Sequence, residues 1–426
     1  MIIYDALKSL ESEKRSIKVG LVGAGFMGSG IVEVIEGAPG MEVVAVSDID
    51  MEKAHLCFEG INFSNYKEIQ SSDEAAKLQF PKERIITSNY RVIPQIEGLD
   101  FVIEATGVPE IGAEVAYASI INKKHIGMLN VETDVTIGHY LQMLAKKNSV
   151  VYTVCTGDEP AAIKELYDFA KILGFIVIAC GKGKNNPLDA SATPETLGRK
   201  AKEMGLNPKI LTEFVDGSKT MVEMSCIANA AGLTIDKRNM HGPHVNVNEL
   251  TKVFSTDGKG GILRKEGVVD FAIGDVAPGV FVVVRHEGKL VNETMRYLKI
   301  GDGPGYLLYR PYHLTNIEVP ISVALGYLYK KPSIAASFLP TTEVITIAKR
   351  DLARGENIDH IGGATVYAGI ETCQCARKEN LLPFGLCEGA KLTKNAEKGK
   401  PVAFSQVDLK DTLLLELRKN QDRLYD

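Results

Sequence analysis

No stretch of the chain approaches the ~18 consecutive apolar residues of a membrane-spanning helix. Residues 1–18 alternate charged and apolar side chains and hold no apolar signal core. Secretion and membrane insertion are therefore not expected. The seven cysteines (Cys57, Cys155, Cys180, Cys226, Cys373, Cys375 and Cys387) form no pair of CxxC units, so a zinc-ribbon scaffold is excluded. Cys373 and Cys375 are the only close pair and read as two reduced thiols on one strand face. Reduced thiols imply the cytoplasm. No His, Asp or Glu set has the close helical spacing of a zinc enzyme. A weak Mg²⁺ or Mn²⁺ site built from distant carboxylates stays open, so the metal is unknown at this stage. There is also no excess of positive charge. A net charge of −5 gives no general attraction to nucleic acid or acidic lipid, although a local basic cluster can still hold one small anion. Internal repeats and low-complexity tracts are missing too.

What is present describes an ordinary folded protein with many turns: 45% hydrophobic and 24% charged residues, with 40 Gly and 17 Pro. A length of 426 residues exceeds what one hydrophobic core usually serves. Residues 1–15 read as an amphipathic helix. From residue 17 the pattern becomes strand, glycine turn, helix, strand, with buried-type strands at 17–22, 42–47, 101–105, 125–129 and 150–155. Residues 51–95 are mixed and polar, with a helix at 72–78. Such alternation is the signature of a doubly wound α/β sheet. The expected division is a Rossmann dinucleotide-binding domain over 1–160, an α+β substrate and catalytic domain over 161–340, and a small β-rich domain over 341–426 closed by a helix at 410–425. In the middle part, helices are expected at 161–173, 194–204 and 221–231, and a strand at 279–285.

Gly23-Ala24-Gly25-Phe26-Met27-Gly28 matches G-x-G-x-x-G, follows a strand, opens a helix, and precedes a second strand that ends at Asp48. Asp48 lies 20 residues beyond Gly28, the distance the fold requires of a ribose-binding acid. Gly23 permits the tight turn, Gly25 lets backbone approach a pyrophosphate, and Gly28 allows close helix–strand packing. The helix N-terminus adds amide donors. A carboxylate at Asp48 accepts ribose hydroxyls and repels a 2′-phosphate, and no Arg or Lys stands beside it before Lys53, so NAD is favoured over NADP. Later strand ends line the nicotinamide end of the crevice; Ala105, Thr106, Gly107, Asn130 and Glu132 occupy those places. Glu104 reads as structural.

The segments GLVGAGFMG, EATGVPEIGAE, NVETDVTIG, GDEPAA, GKGKNNPL, FVDGSKTMVEM and RPYHLTNIEVP together resemble the reductoisomerase-like branch of the homoserine-dehydrogenase-like oxidoreductases. That branch is named for conversion of 1-deoxy-D-xylulose 5-phosphate and ends in a SAF domain. The tail segments VITIAKRDLARGENID and LLPFGLCEGAKL are similar to it. The resemblance covers nearly the whole chain. One departure stands out: relatives that use NADPH look to have Arg where this chain has Asp48.

Lys182 and Lys184, separated by glycine and following the apolar run 175–179, can hold a phosphate or a carboxylate, with Asn185 and Asn186 as neutral donors; a charged surface turn is the bland alternative. Asp216 stands near a helix start, where capping is its bland role. Lys219, Glu223 and Cys226 share one helix face. The resemblance implies Lys219 as the proton-transfer residue, with Asp216, Glu223 and Lys184 in the same catalytic set. His241, Arg310 and His313 are further polar residues in apolar surroundings, more often structural when single, and complete the substrate list; Arg310 beside His313 can serve an anion.

Two classes of function follow. The enzyme reading is an NAD(P)-dependent reductase or reductoisomerase acting on CH–OH groups of a small phosphorylated polyhydroxy ketone, with homoserine dehydrogenase as the runner-up. The other is a non-catalytic dinucleotide sensor or carbohydrate-binding protein, against which the Lys219 and Glu223 pattern argues. A small-molecule substrate and a homo-oligomer are expected, and the tail reads as an appendage without a catalytic cluster, Asp351 and Glu371 being surface charges.

Overall fold

The computed structural model describes residues 2–78, 82–336 and 339–425. Met1, the first residue of the expected N-terminal helix, lies outside them; the helix itself runs Ile2–Ser12. The chain packs as two compact units. The first gathers Met1–Ala161, Leu314–Ala335 and Thr412–Asp426, and the second gathers Ala162–His313 with Ala336–Asp411. The compact units thus depart from a simple three-part division along the sequence. A middle segment and the last helix return to the first unit, and the β-rich tail packs with the substrate part.

The first unit is built on a seven-stranded sheet in the order β3-β4-β2-β1-β5-β6-β7, all parallel. Its strands are β1 (Ile17–Val22), β2 (Met41–Ser47), β3 (Tyr66–Glu68), β4 (Arg84–Thr87), β5 (Phe101–Glu104), β6 (His125–Met128) and β7 (Tyr152–Val154). Apolar residues fill both faces of the central strands, as a parallel sheet covered by helices requires. The strand order reverses between β1 and β5, and a ligand crevice in such folds opens at the carboxyl ends beside that point. Strands β3 and β4 were not expected from the polar stretch 51–95. Strand β3 (YKE) is polar and half-exposed, and β4 (RIIT) has only two apolar residues within a polar stretch, so no apolar run marks either.

Two returning segments complete this unit. The helix Val319–Tyr329 follows a turn in which the Thr315 amide donates to the Gly157 carbonyl at 2.8 Å. Gly157 has φ +102°, and a Cβ there would fall 1.8 Å from Thr315 O, so only glycine fits. The final helix, Leu413–Asp422, lies on the helices Pro109–Ile121 and Val131–Lys147, where the Gln421 side chain accepts from Tyr140 N at 3.0 Å and donates to Thr136 O at 3.0 Å.

The second unit carries a four-stranded mixed sheet in the order β11-β10-β8-β9, formed by β8 (Ile176–Lys184), β9 (Val268–Ile273), β10 (Val280–Arg285) and β11 (Tyr306–Arg310). The helix Ser218–Ala231 packs against β9 and also against a hairpin of β12 (Thr342–Ala348) and β13 (Val366–Thr372). This helix is buried almost all round, with Lys219 the one half-buried residue. Its polar side chains therefore need internal partners. Ser225 Oγ meets Thr342 Oγ1 at 2.9 Å, and Asn229 Oδ1 accepts from the Thr341 amide at 2.9 Å while its Nδ2 donates to Thr342 O at 3.1 Å. Cys373 and Cys375 belong to a short helix, Cys373–Lys378, rather than to a strand face, and all seven cysteines are free thiols. Glu371 is no surface charge: it is buried and pairs with Arg238. Among the described residues, no helix is long and apolar enough to cross a membrane.

Candidate functional site

In the first unit the glycine turn has the geometry its spacing implies. Gly23 has φ +98°, a left-handed conformation that side chains rarely adopt. A Cβ on Gly28 would stand 1.9 Å from the Gly23 carbonyl oxygen, so helix and strand close together only with glycine there. Gly25 differs. It caps the helix Phe26–Glu36, and no atom lies within 4 Å of where its Cβ would be. The space in front of Gly25 is open, and Phe26 and Met27 beside it are exposed. Asp48 follows β2; one carboxylate oxygen accepts the Ala24 amide at 2.7 Å and the other the Asp50 amide at 2.9 Å. Both oxygens keep further acceptor capacity, and Asp48 remains half-buried. An open cradle at a helix N-terminus, with an acid at the next strand end, fits the pyrophosphate and ribose of a dinucleotide.

At the end of β5, Glu104 is fully buried and its carboxyl is pushed up to about 7, chiefly by burial, with Glu132 adding to the effect. Thr106 opposes the shift by donating both its amide, at 2.8 Å, and its hydroxyl to Oε1. The other oxygen, Oε2, and Asn130 Nδ2 are buried without a well-aligned hydrogen bond, although the nearby amide still favours the ionised form. Asn130 caps its helix through Oδ1, which accepts the Thr133 amide at 3.1 Å. Ala105 and Thr106 are half-buried, Gly107 is exposed, and Glu132 is buried in the first turn of that helix.

In the second unit Lys182 and Lys184 do not sit in a turn after a strand. Strand β8 runs on through Lys184. Alternation then places Gly181 and Gly183 on one face and both lysines on the other. The glycine face is in backbone contact: a Cβ on Gly181 would fall 1.8 Å from Asp270 O, and one on Gly183 2.1 Å from Ala277 N. Asn185 and Asn186 form the exit from the strand, exposed and half-buried respectively.

The lysine face meets the Asp216–Glu223 region. Lys182 is paired with Glu223, both buried. Lys184 donates to Phe214 O. Burial and the Lys182 charge bring Lys184 down to about 8, while Asp216 and Glu223 resist. Asp216 ends the helix Pro208–Asp216, and Gly217 (φ +88°) reverses the chain into the next helix. Asp216 Oδ1 accepts the Ser218 amide at 2.8 Å. Its Oδ2 lies 2.8 Å from Lys349 Nζ, an ion pair without hydrogen-bond alignment at that oxygen. Burial pushes the Asp216 carboxyl up, and Lys349 acts against it. Glu223 has Lys182 as an ion-pair partner, which sequence spacing alone did not suggest.

His241 Nε2 stands 2.9 Å from the buried Asp236, and its amide is held by Asp270. Arg310 pairs with Glu165 at 3.1 Å and lies over the Tyr312 ring. His313 Nδ1 meets Pro278 O at 2.8 Å. Lys349, Asp236 and Asp270 had no place among the sequence candidates. Two of these positions had a signal: Lys349 follows an apolar run, and Asp270 interrupts one.

Two family models match the chain. Residues 18–111 match the NAD binding domain of 3-hydroxyacyl-CoA dehydrogenase, and residues 157–319 match the catalytic domain of oxidoreductase DRL. The chain is an NAD(P)-dependent oxidoreductase. This oxidoreductase takes a small-molecule substrate, as its two matched domains imply. No curated protein matches it. Among solved structures, a probable dehydrogenase from Thermotoga maritima is 15% identical with a TM-score of 0.41, covering 74% of this chain and 90% of that one. The 1-deoxy-D-xylulose 5-phosphate reductoisomerase from Zymomonas mobilis, in complex with NADPH, is 16% identical at TM-score 0.35, covering 49% and 57%. A scyllo-inositol dehydrogenase from Lactobacillus casei is 13% identical at TM-score 0.38, covering 70% and 76%. Likenesses this low carry no argument about substrate.

Proposed function

We propose that this oxidoreductase reduces, or rearranges and reduces, a small phosphorylated polyhydroxy ketone at the CH–OH level, with NADH preferred over NADPH. One observation carries the reading: a buried cluster in the second unit sets three lysines (Lys182, Lys184 and Lys349) against two carboxylates (Asp216 and Glu223). Buried ion pairs contribute little net stability because desolvation offsets their attraction. A buried cluster of lysines and carboxylates is instead suited to an anionic ligand and to proton transfer. Homoserine, by contrast, brings no phosphate to such lysines.

Gly23, Gly25, Gly28 and Asp48 would hold the dinucleotide, with Ala105, Thr106, Gly107, Asn130 and Glu132 at its nicotinamide end; when bound, it supplies the hydride. Phe26 and Met27 flank the pyrophosphate position. In the second unit, Lys184 moves the proton that accompanies reduction, since an amine near 8 both gives and takes a proton close to neutral pH. Lys182, held by Glu223, binds the anionic group together with Asn185 and Asn186, and Asp216 grips a hydroxyl. Lys219, on the same helix as Glu223, is the other proton-transfer candidate. His241, Arg310 and His313 hold outer parts of the substrate.

The test is oxidation of NADH followed at its absorbance, with a panel of ketose phosphates, the matching dephosphorylated ketoses and homoserine. Turnover confined to phosphorylated ketones is the expected result. Turnover of homoserine alone would replace the reading with the dehydrogenase alternative.

A further inference from the structure

The β-rich tail places one of its lysines within the substrate cluster. Lys349 stands at the end of β12, with its side chain 2% exposed, against an Asp216 side chain that is 0% exposed. Beyond its ion pair with Asp216 it donates to Ala192 O and to Gly363 O, each at 2.7 Å. Two of the three ammonium protons go to these carbonyls, and the carboxylate stands at ion-pair distance on a third side. The carbonyls come from opposite directions along the chain, one ahead of the helix Pro194–Met204 and one in the loop before β13. Nζ is thereby fixed from three sides. A second tail contact supports the same point: Ser218 Oγ, next to Asp216, accepts the Ala368 amide of β13 at 2.9 Å.

We propose that Lys349 is a positioning residue for the substrate site, fixing the Asp216 carboxylate and setting how much of its negative charge reaches Lys184. The tail is then a working part of the site. This rests on the functional reading given above for the cluster. The charged and titratable groups around the pair include Lys182 and Glu223 on the Lys184 side, Asp189 on the Lys349 side, and Tyr367 of β13 on the Asp216 side, whose phenol is pushed up first by its own burial and then by Asp216. Removing Lys349 takes away the charge that opposes the upward push of burial on Asp216, so Asp216 loses negative charge and Lys184 loses part of its support. Removing the charge of Asp216 outright acts in the same direction, because Lys184 then faces Lys182 with less to offset it.

The test reads the titration of Lys184 directly in the full chain, by trace labelling with acetic anhydride across pH from about 6 to 11 and quantifying the modified peptide by mass spectrometry. Wild type should show a midpoint near 8. Lys349→Met and Asp216→Asn should both move it down, by up to about one unit. Lys349→Arg, which keeps the charge, should restore the wild-type midpoint. No shift in Lys349→Met, or an upward one, overturns the proposal. Should Lys349→Met not fold by circular dichroism, Asp216→Asn decides alone: a lower midpoint supports the coupling and an unmoved one overturns it. The labelling uses no substrate. A negative ketose-phosphate panel therefore leaves its result standing, and a negative labelling result leaves the panel untouched.

Discussion

The cofactor crevice of the first unit is made mostly of backbone: a left-handed glycine, a helix N-terminus, an open space before Gly25, and one carboxylate at the end of the next strand. The lysine cluster of the second unit is made of side chains from three distant segments (182–184, 216–223 and 349) that converge on buried ground. A site made of backbone tolerates only glycine at a few positions but is indifferent to most side chains. A site made of side chains depends on each charge having its partner. The two regions should therefore fail differently when altered.

The largest expected effect lies in the cluster. Lys184→Met should lower kcat by about 10²–10⁴-fold on the true substrate and leave NADH affinity unchanged. Lys219→Met should retain most of kcat; the reverse pattern in stopped-flow and steady-state kinetics would transfer the proton role to Lys219. With Lys184 as donor, the reduction rate should fall as pH rises through about 8, and the rate of the reverse oxidation should rise through the same point.

The glycines come next and separate folding from binding. Gly28→Val puts side-chain atoms where the Gly23 carbonyl stands, and should destabilise the first unit by about 2–4 kcal/mol in urea titrations. Gly25→Val meets open space, so the chain should fold normally yet lose NADH binding in fluorescence titration. Equal stability losses in both variants would erase the distinction between a packing glycine and a cradle glycine. Asp48→Ala is the milder change: it should narrow the preference for NADH over NADPH by about tenfold, roughly 1.4 kcal/mol, by removing repulsion from the 2′-phosphate. Tighter binding of NADPH by the unaltered chain would overturn the cofactor preference.

A further effect is in pH-dependent stability, where the two regions should have opposite signs. Glu104 is raised from an ordinary 4.5 to about 7, so the folded chain binds more protons than the unfolded one between those values. Its contribution makes stability fall as pH rises through that window. Lys184 is lowered from 10.5 to about 8, so the unfolded chain binds more protons there. Its contribution makes stability rise with pH between about 8 and 10.5. Each term is on the order of 3 kcal/mol at most. Glu104→Gln should flatten the acid-side slope and Lys184→Met the alkaline-side slope in denaturant midpoints measured across pH; an unchanged slope in either variant would show that the group does not titrate as its burial implies.

Sequence reading went furthest in the first unit. The strand 17–22 lies where the apolar run placed it, and the turn 23–28 and Asp48 have the geometry their spacing demands. Local repetition made them visible: a four- to seven-residue apolar run marks a buried strand, and glycines at fixed offsets mark a turn. Strands β3 and β4 escaped because YKE and RIIT lie in a polar stretch and form no apolar run. In the second unit the surface turn weighed as the bland alternative for 181–184 does not hold. Gly181 and Gly183 sit in a strand whose one face touches neighbouring backbone.

The sequence by itself determined the doubly wound sheet, the turn beside its switch point and the acid that faces it, because these depend on interactions among neighbours in the chain or on a repeating apolar pattern. Only the tertiary structure decided that Glu223 takes Lys182, that Asp216 takes Lys349, and that the tail packs on the helix Ser218–Ala231. A buried charge must find an opposite charge somewhere, but nothing local specifies where. That choice depends on which distant segments the folded core brings within a few ångströms of one another.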